Sequence, residues 1–248
     1  FNDIAAACRA TALLKETAVT AVELMDEISL ELMKGRPGVP TDIADGCMAL
    51  LIDVRAADET QLESMKASVS EVLLPFAVKC EFTNNEQDYA ELWKIRKGLF
   101  PIVGAKRPQG TTVIIEDICF PLEQLADGTI ALKKLLAKHN YSSAVIFGHA
   151  LEGNLHFVFT QDFNSSQEIK RYADFMEGLA RLVTVEYSGS LKAEHGTGRN
   201  MAPFVEAEWG TTAYGLMKRI KRLFDPQNIL NPEVIISKNP QLHLENLK

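Results

Sequence analysis

The sequence predicts an α+β fold: a mostly antiparallel sheet with helices packed on one face, plus additional C-terminal helices. Three observations carry that expectation. Short apolar runs of strand character alternate with single stretches of helical character. Two of the runs, 143–149 and 154–160, flank a Gly-Asn turn in the manner of a hairpin. No glycine-rich phosphate loop follows any run. GxGxxG and the P-loop pattern are both absent, so the chain has no ordinary nucleotide cradle of its own.

Residues 3–15 and 19–34 are rich in Ala, Leu, Glu and Met and are expected to form two helices. Residues 35–46 (GRPGVPTDIADG) read as a loop from their Gly, Pro and Asp content. An apolar strand is expected over 47–54. An amphipathic helix follows over 58–73, capped by Asp58 or Thr60. Residues 76–82 read as a second strand, 85–100 as a helix and 104–110 as a loop. A third strand covers 112–120 and stops at Pro121, and a helix covers 122–139. After the hairpin come a long helix over 165–187 and an extended stretch over 191–198 that enters a glycine turn. Two helices, about 203–209 and 211–224, end at DPQNILNP (225–232).

The chain has 248 residues and a net charge of −7, which argues against nucleic acid as a partner, because phosphate binding needs a basic surface. Cys8, Cys47, Cys80 and Cys119 are unclustered and sit among apolar residues, as reduced thiols of a cytoplasmic protein would. No run approaches the roughly 20 apolar residues of a membrane span. Lys218, Arg219, Lys221 and Arg222, set among Leu216, Met217, Ile220 and Leu223, read as a solvated helix face or an interface to another domain. That face leaves peripheral association with a membrane open. The chain starts at Phe1 and enters a helical pattern at once, so it is expected to be part of a longer protein.

The chemistry concentrates in two segments. In 148–156 (GHALEGNLH), His149 closes one strand of the hairpin and His156 lies early in the next, so equal-parity pairing can put both imidazoles on one face. Such a pair is half of a divalent metal site; the alternative is two unrelated histidines brought near each other. In 192–198 (KAEHGTG), Glu194 could complete a His149–His156–Glu194 triad with positions left open for substrate. Neighbours in extended chain point to opposite sides, so His195 is expected to face away from the ion and serve as a base, a role that suits an imidazole. The alternative here is a surface Glu-His turn. Arg96 falls on an apolar helix stripe marked by Tyr89, Leu92, Trp93 and Phe100. It reads either as a clamp for a substrate carboxylate or as a snorkelled or salt-bridged arginine. Glu116 and Asp117 read as a solvated strand end, the alternatives being that they bind a basic partner or line the site.

GHALEGNLHFVF (148–159), AEHGTGRNM (193–201) and KRLFDPQNILNP (221–232), with AVELMDEISLE (21–31) and LWKIRKG (92–98), closely resemble the C-terminal part of flavin-linked 2-hydroxy-acid dehydrogenases. This is the D-lactate, glycolate and D-2-hydroxyglutarate dehydrogenase group of the vanillyl-alcohol-oxidase superfamily. The wording of the motifs is most similar to the long bacterial type, in which flavin and iron–sulfur parts share one chain. The resemblance implies a ferredoxin-like α+β core and one substrate domain over residues 1–248. It also implies FAD bound mainly by a preceding domain of the full-length chain, and it allows an iron–sulfur cluster there. It implies that His149, His156 and Glu194 bind a divalent metal such as zinc, that His195 is the base, and that Arg96 holds the substrate carboxylate. Asn154 lies in the metal-turn motif, and Asn231 in a closing motif near the flavin. The implied function is the substrate- and metal-binding part of an enzyme that oxidises a D-2-hydroxy acid, D-lactate or D-2-hydroxyglutarate, by hydride transfer to FAD. The implied location is the cytoplasm or the inner-membrane surface, with homo-oligomerisation left open. Two departures bear on this. The closing motif runs Pro232-Glu233-Val234 where many members have Pro-Gly-Lys, and Val158 stands where some 2-hydroxyglutarate enzymes have Asn. A metal-dependent hydrolase and a non-catalytic interaction domain are the rival readings.

Overall fold

The computed structural model describes residues 1–36, 39–40 and 43–247. The chain runs α1 (Ile4–Leu14), β1 (Val19–Met25), α2 (Glu27–Met33), β2 (Ala49–Val54), α3 (Glu59–Leu73), α4 (Glu86–Lys106), β3 (Thr112–Cys119), α5 (Leu125–Lys138), β4 (Val145–His149), β5 (Asn154–Gln161), α6 (Ser166–Arg181) and α7 (Val205–Phe224). The strands form one sheet in the order β2-β1-β4-β5-β3, and every neighbouring pair is antiparallel. The α+β class and the hairpin follow the sequence reading.

Leu24, Ile146, Phe157, Phe159 and Ile118 project from one face of the sheet. They pack under α1, α5 and α6 through Cys8, Leu132, Leu136, Phe175 and Leu179. That is the expected helix layer. A second, smaller layer lies on the other face, where Leu30 and Met33 of α2 and Ile95, Leu99 and Ile102 of α4 cover Met25, Phe147 and Val158. Because both faces are covered, the central strands lack the alternation of a half-exposed sheet. Six consecutive residues of β5, from Asn154 to Phe159, are buried.

The first correction falls on residues 19–34, read as one helix. Val19–Met25 is instead strand β1, paired on both sides, and only Glu27–Met33 is helical. The β-branched Val19, Thr20 and Val22 fit a strand. The Ala, Glu, Leu and Met between them favour a helix alone, but two strand partners outweigh that preference. The second correction falls on 76–82. No strand forms there: Pro75 opens a short 3-10 turn, Leu74–Phe76, which Ala77 closes in the left-handed region at φ 51°. Elsewhere the differences are at the ends. Asp58 is the cap of α3, accepting from Gln61 N at 2.8 Å. α4 runs through Pro101 to Lys106 because Ile102 and Val103 are buried in the second layer. The two C-terminal helices meet at Gly210, whose φ of 75° breaks α7 where the sequence placed a boundary. Part of the expected loop over 35–46 (residues 37–38 and 41–42) lies outside the described residues.

Asp26, between β1 and α2, is fully buried. Its Oδ1 accepts from Ser29 N at 2.8 Å and Ser29 Oγ at 2.6 Å, and its Oδ2 from Ile146 N at 2.9 Å. It thus caps α2 and fastens it to β4. Burial pushes its carboxyl from the ordinary 3.8 up to about 6. Between those values the folded chain keeps a proton that the unfolded chain has released, so this contribution to stability is lost as pH rises through 6. Asp26→Asn removes the titration and is less stable, because one amide oxygen replaces two acceptors. The stability gap between wild type and Asp26→Asn is therefore expected to narrow from about pH 4 to about pH 7. Denaturant melts across that range check it, and a gap that stays constant would contradict the assignment.

Candidate metal centre

Strand register builds the centre. Glu23 of β1 lies opposite His149 of β4. His156 of β5 lies opposite Phe147 on one side and Asp117 of β3 on the other. Directly paired residues share a face, so Glu23, Phe147, His149, His156 and Asp117 all project to the α2/α4 side. The hairpin turn is made by Ala150–Glu152 and Gly153. Gly153 has a φ of 71°, and a Cβ there would lie 2.1 Å from the Phe120 carbonyl oxygen. A Cβ on Gly148 would lie 2.5 Å from the Asn154 carbonyl oxygen. Both glycines of GHALEGNLH are therefore required by the backbone that sets the two histidines.

The 190–195 segment crosses the open end of β3. Ser190 pairs with Cys119 and Lys192 with Asp117 in isolated bridges. This brings Glu194 Oε1 to 3.1 Å from His149 Nε2 and 3.0 Å from His156 Nε2. The two rings are nearly perpendicular, with centroids 5.5 Å apart. The other nitrogen of each ring faces a buried carboxylate. His149 Nδ1 is 2.5 Å from Glu23 Oε1, and His156 Nδ1 is 3.3 Å from Asp117 Oδ1 with its N–H off-line. Two imidazoles and a carboxylate meeting at one point, with a carboxylate behind each ring, are the donor chemistry and outer-shell support of a divalent cation site. The three expected ligands thus fit a metal.

His195 departs from its expected placement. Its ring lies parallel to that of His156, with centroids 4.8 Å apart and planes 7° apart. It is therefore beside the triad and not on the far side of the chain. Residues 193–195 are bent, so the alternation of extended backbone does not apply. Its Nε2 is 3.8 Å from Glu194 Oε1 and its Nδ1 4.0 Å from Asp117 Oδ2. Asp117, His156 and His195 also gather within 4.8 Å. Asp117 is already committed, however: its oxygens accept the backbone N–H groups of Glu194 and His195, each at 2.8 Å, and the Asn154 amide at 2.6 Å. The His149–His156–Glu194 set is the freer one.

Glu116 and Asp117 correct the solvated-end reading, since both are fully buried. They point to opposite faces of β3, yet both hold the same crossing segment. Glu116 pairs with Lys192 at 2.8 Å and accepts from Asn200 at 2.9 Å. Burial raises the Glu116 carboxyl above its ordinary range, and Lys192 offsets only part of that. Burial acts the same way on Asp117, but the neighbouring His156 imidazole and the hydrogen bonds from the two backbone N–H groups and Asn154 outweigh it and hold the carboxyl well below the usual range.

Arg96 does not lie on the core stripe of α4. That stripe is Ile95, Leu99, Ile102 and Val103, while Tyr89 and Phe100 are largely exposed. Arg96 lies beside it, with Nε 2.6 Å from Glu23 Oε2 and its guanidinium 4.8 Å from the centre of the Phe147 ring. Its Nη groups have no hydrogen-bond partner among the described residues. Asn154 is buried and gives its amide to Asp117 and to the Ile118 carbonyl at 3.0 Å. Asn231 sits in an exposed turn after α7 at φ 42°. Arg199, four residues beyond the crossing segment, pairs with Glu233 near that turn at 3.1 Å. Sequence reasoning missed Glu23, and it singled out Glu116 and Asp117 but preferred a solvated strand end to a place in the site. Glu23 was hidden inside a segment read as a helix. For Glu116 and Asp117 the available signal was two acids within a Val-Ile strand, which calls for buried partners.

Comparison with known proteins agrees with this architecture. Residues 1–235 match the family described as FAD linked oxidases, C-terminal domain. The chain is 28% identical over 224 residues to glycolate oxidase subunit GlcD of Bacillus subtilis, covering 88% of this chain and 45% of that protein. It is 31% identical over 220 residues to the mitochondrial D-lactate dehydrogenase [cytochrome] of Arabidopsis thaliana, covering 88% and 37%. A D-2-hydroxyglutarate dehydrogenase of Haemophilus influenzae is 32% identical over 142 residues, covering 57% and 14%. The chain thus spans less than half the length of these relatives. Among solved structures, p-cresol methylhydroxylase shares the fold at a TM-score of 0.63 and 16% identity, over 96% of this chain and 52% of that one. No helix among the described residues is long and apolar enough to cross a membrane. With its family match running almost end to end, the chain belongs to the C-terminal domain family of FAD linked oxidases.

Proposed function

We propose that this chain is the substrate- and metal-binding part of a flavin enzyme that oxidises a D-2-hydroxy acid, D-lactate or D-2-hydroxyglutarate, to the 2-oxo acid. The observation that carries the reading is the convergence of His149 Nε2 and His156 Nε2 on Glu194 Oε1, with a buried carboxylate behind each ring. The nitrogen and oxygen donors suit zinc. When bound, the cation supplies a Lewis acid that lowers the proton affinity of an alcohol oxygen, and the flavin supplies the acceptor for hydride. Arg96 orients the substrate: its Nε is held by Glu23, and its planar Nη pair remains to grip a carboxylate. His195, beside the triad and partly exposed, takes the hydroxyl proton on an imidazole nitrogen. Phe147, its ring 4.8 Å from the Arg96 guanidinium and 5.5 Å from the His156 ring, forms an apolar wall beside these groups.

The test uses the full-length, flavin-loaded protein. It is expected to hold a divalent metal at near-stoichiometric level and to lose turnover when a chelator removes it. It is also expected to oxidise at least one of D-lactate, glycolate and D-2-hydroxyglutarate. Turnover that survives complete metal removal would reject the metal role. A flavin-loaded protein inert toward all three acids would reject the substrate class.

A further inference from the structure

We infer that Glu23 is a positioning residue that fixes the substrate arm and the metal arm of the centre to one buried carboxylate. The inference rests on the metal-site reading and goes beyond it, because it assigns a role to a residue outside the ligand triad and the substrate clamp. Glu23 is 2% exposed and lies in mid-sheet, between β2 and β4. Its two oxygens are divided: Oε2 meets Arg96 Nε at 2.6 Å, and Oε1 meets His149 Nδ1 at 2.5 Å. Burial pushes its carboxyl up, but the hydrogen bond from His149 and the Arg96 charge outweigh this and leave it below its ordinary value.

The division has two consequences. A carboxylate can only accept, so it requires the proton of a neutral His149 on Nδ1. That leaves the Nε2 lone pair toward His156 and Glu194, where a metal would be bound. The same carboxylate, with the Phe147 ring at 4.8 Å, holds the guanidinium of Arg96 in one orientation. Phe147 and His149 are two residues apart on β4 and share a face. The clamp and the first ligand are therefore fixed to one another through β1 and β4 and cannot shift separately. β1 is part of the site for this reason, although it supplies no ligand.

Glu23→Gln tests the role. Its amide presents one acceptor and one donor, so it can satisfy Arg96 or the Nδ1–H of His149 but not both. The donor favours the other tautomer of His149, with its proton on Nε2. In the full-length protein, zinc affinity measured by competition with a chromophoric chelator is expected to fall roughly 10- to 100-fold. KM for the hydroxy acid is expected to rise even at saturating zinc, because Arg96 loses its anchor. Glu23→Asp keeps the charge but withdraws it by one methylene, and should show smaller losses in both readings. If Glu23→Gln does not fold, Glu23→Asp decides. Folded variants with wild-type zinc affinity and wild-type KM would overturn the inference even if their melting temperature dropped, since that is the result of a merely structural role. A wild-type protein with no affinity for divalent metal would instead sink the metal-site reading itself, and this inference with it.

Discussion

His195→Ala in the full-length, flavin-loaded protein is expected to lower turnover by on the order of 10²- to 10⁴-fold, the range for removal of a general base. Bound metal is expected to stay. The two readings separate because His195 lies beside the triad and outside it. His149, His156 and Glu194 converge without it, and its Nε2 remains 3.8 Å from Glu194 Oε1. Ring stacking on His156 would be lost, but His156 keeps its strand position and its Asp117 neighbour. The fold should change little, because the side chain is partly exposed. Steady-state kinetics with metal analysis on the same sample check this. Unchanged turnover would remove His195 from the chemistry. Loss of metal along with turnover would make His195 a ligand or a support, and the base would have to be sought elsewhere.

Asp117→Ala is expected to have the largest effect on folding. It strips the acceptor from the backbone N–H groups of Glu194 and His195 and from the Asn154 amide, and leaves His156 without its carboxylate neighbour. Each hydrogen bond to a charged group contributes about 1.5–3 kcal/mol, and donors left buried without a partner add a penalty. Three such bonds are lost together, so the cost is expected to reach about 3–5 kcal/mol. That is a large share of the roughly 5–15 kcal/mol that holds a typical domain together. Urea denaturation reads the loss directly. At low denaturant, where the variant is still folded, metal affinity should also fall, because Glu194 is carried by the segment that Asp117 pins. A loss below about 1 kcal/mol, within the range of an exposed pair, would show that the crossing segment is held by other contacts, Glu116–Lys192 being the first to examine.

These two expectations mark where sequence reading succeeds and where it stops. His149, His156, Glu194, His195 and Arg96 were legible as candidates because each is a chemistry-bearing side chain in a local pattern. The patterns are a hairpin with two histidines, a Glu-His pair before two glycines, and an arginine near an apolar helix face. Glu23, Glu116 and Asp117 were not legible as partners. Each acts on a residue far away in the chain: Glu23 on His149, Glu116 on Lys192, Asp117 on Glu194. A short-range pattern cannot show such pairings. The misread helix over 19–34 has the same cause, since residues 19–25 become a strand only when β2 and β4 lie on either side.

The sequence by itself determined the α+β class, the hairpin, most helix positions and the glycines that the turn requires, and it offered His149, His156 and Glu194 as candidate ligands. Those follow from local sterics, hydrophobic spacing and donor chemistry, which act over a few residues. Only the tertiary structure decided which faces of the sheet are covered, that β1 is an interior strand between β2 and β4, that His195 stacks on His156, and that buried carboxylates stand behind both histidines. Those depend on strand register and on charges that can be buried only when a distant residue arrives to pair with them.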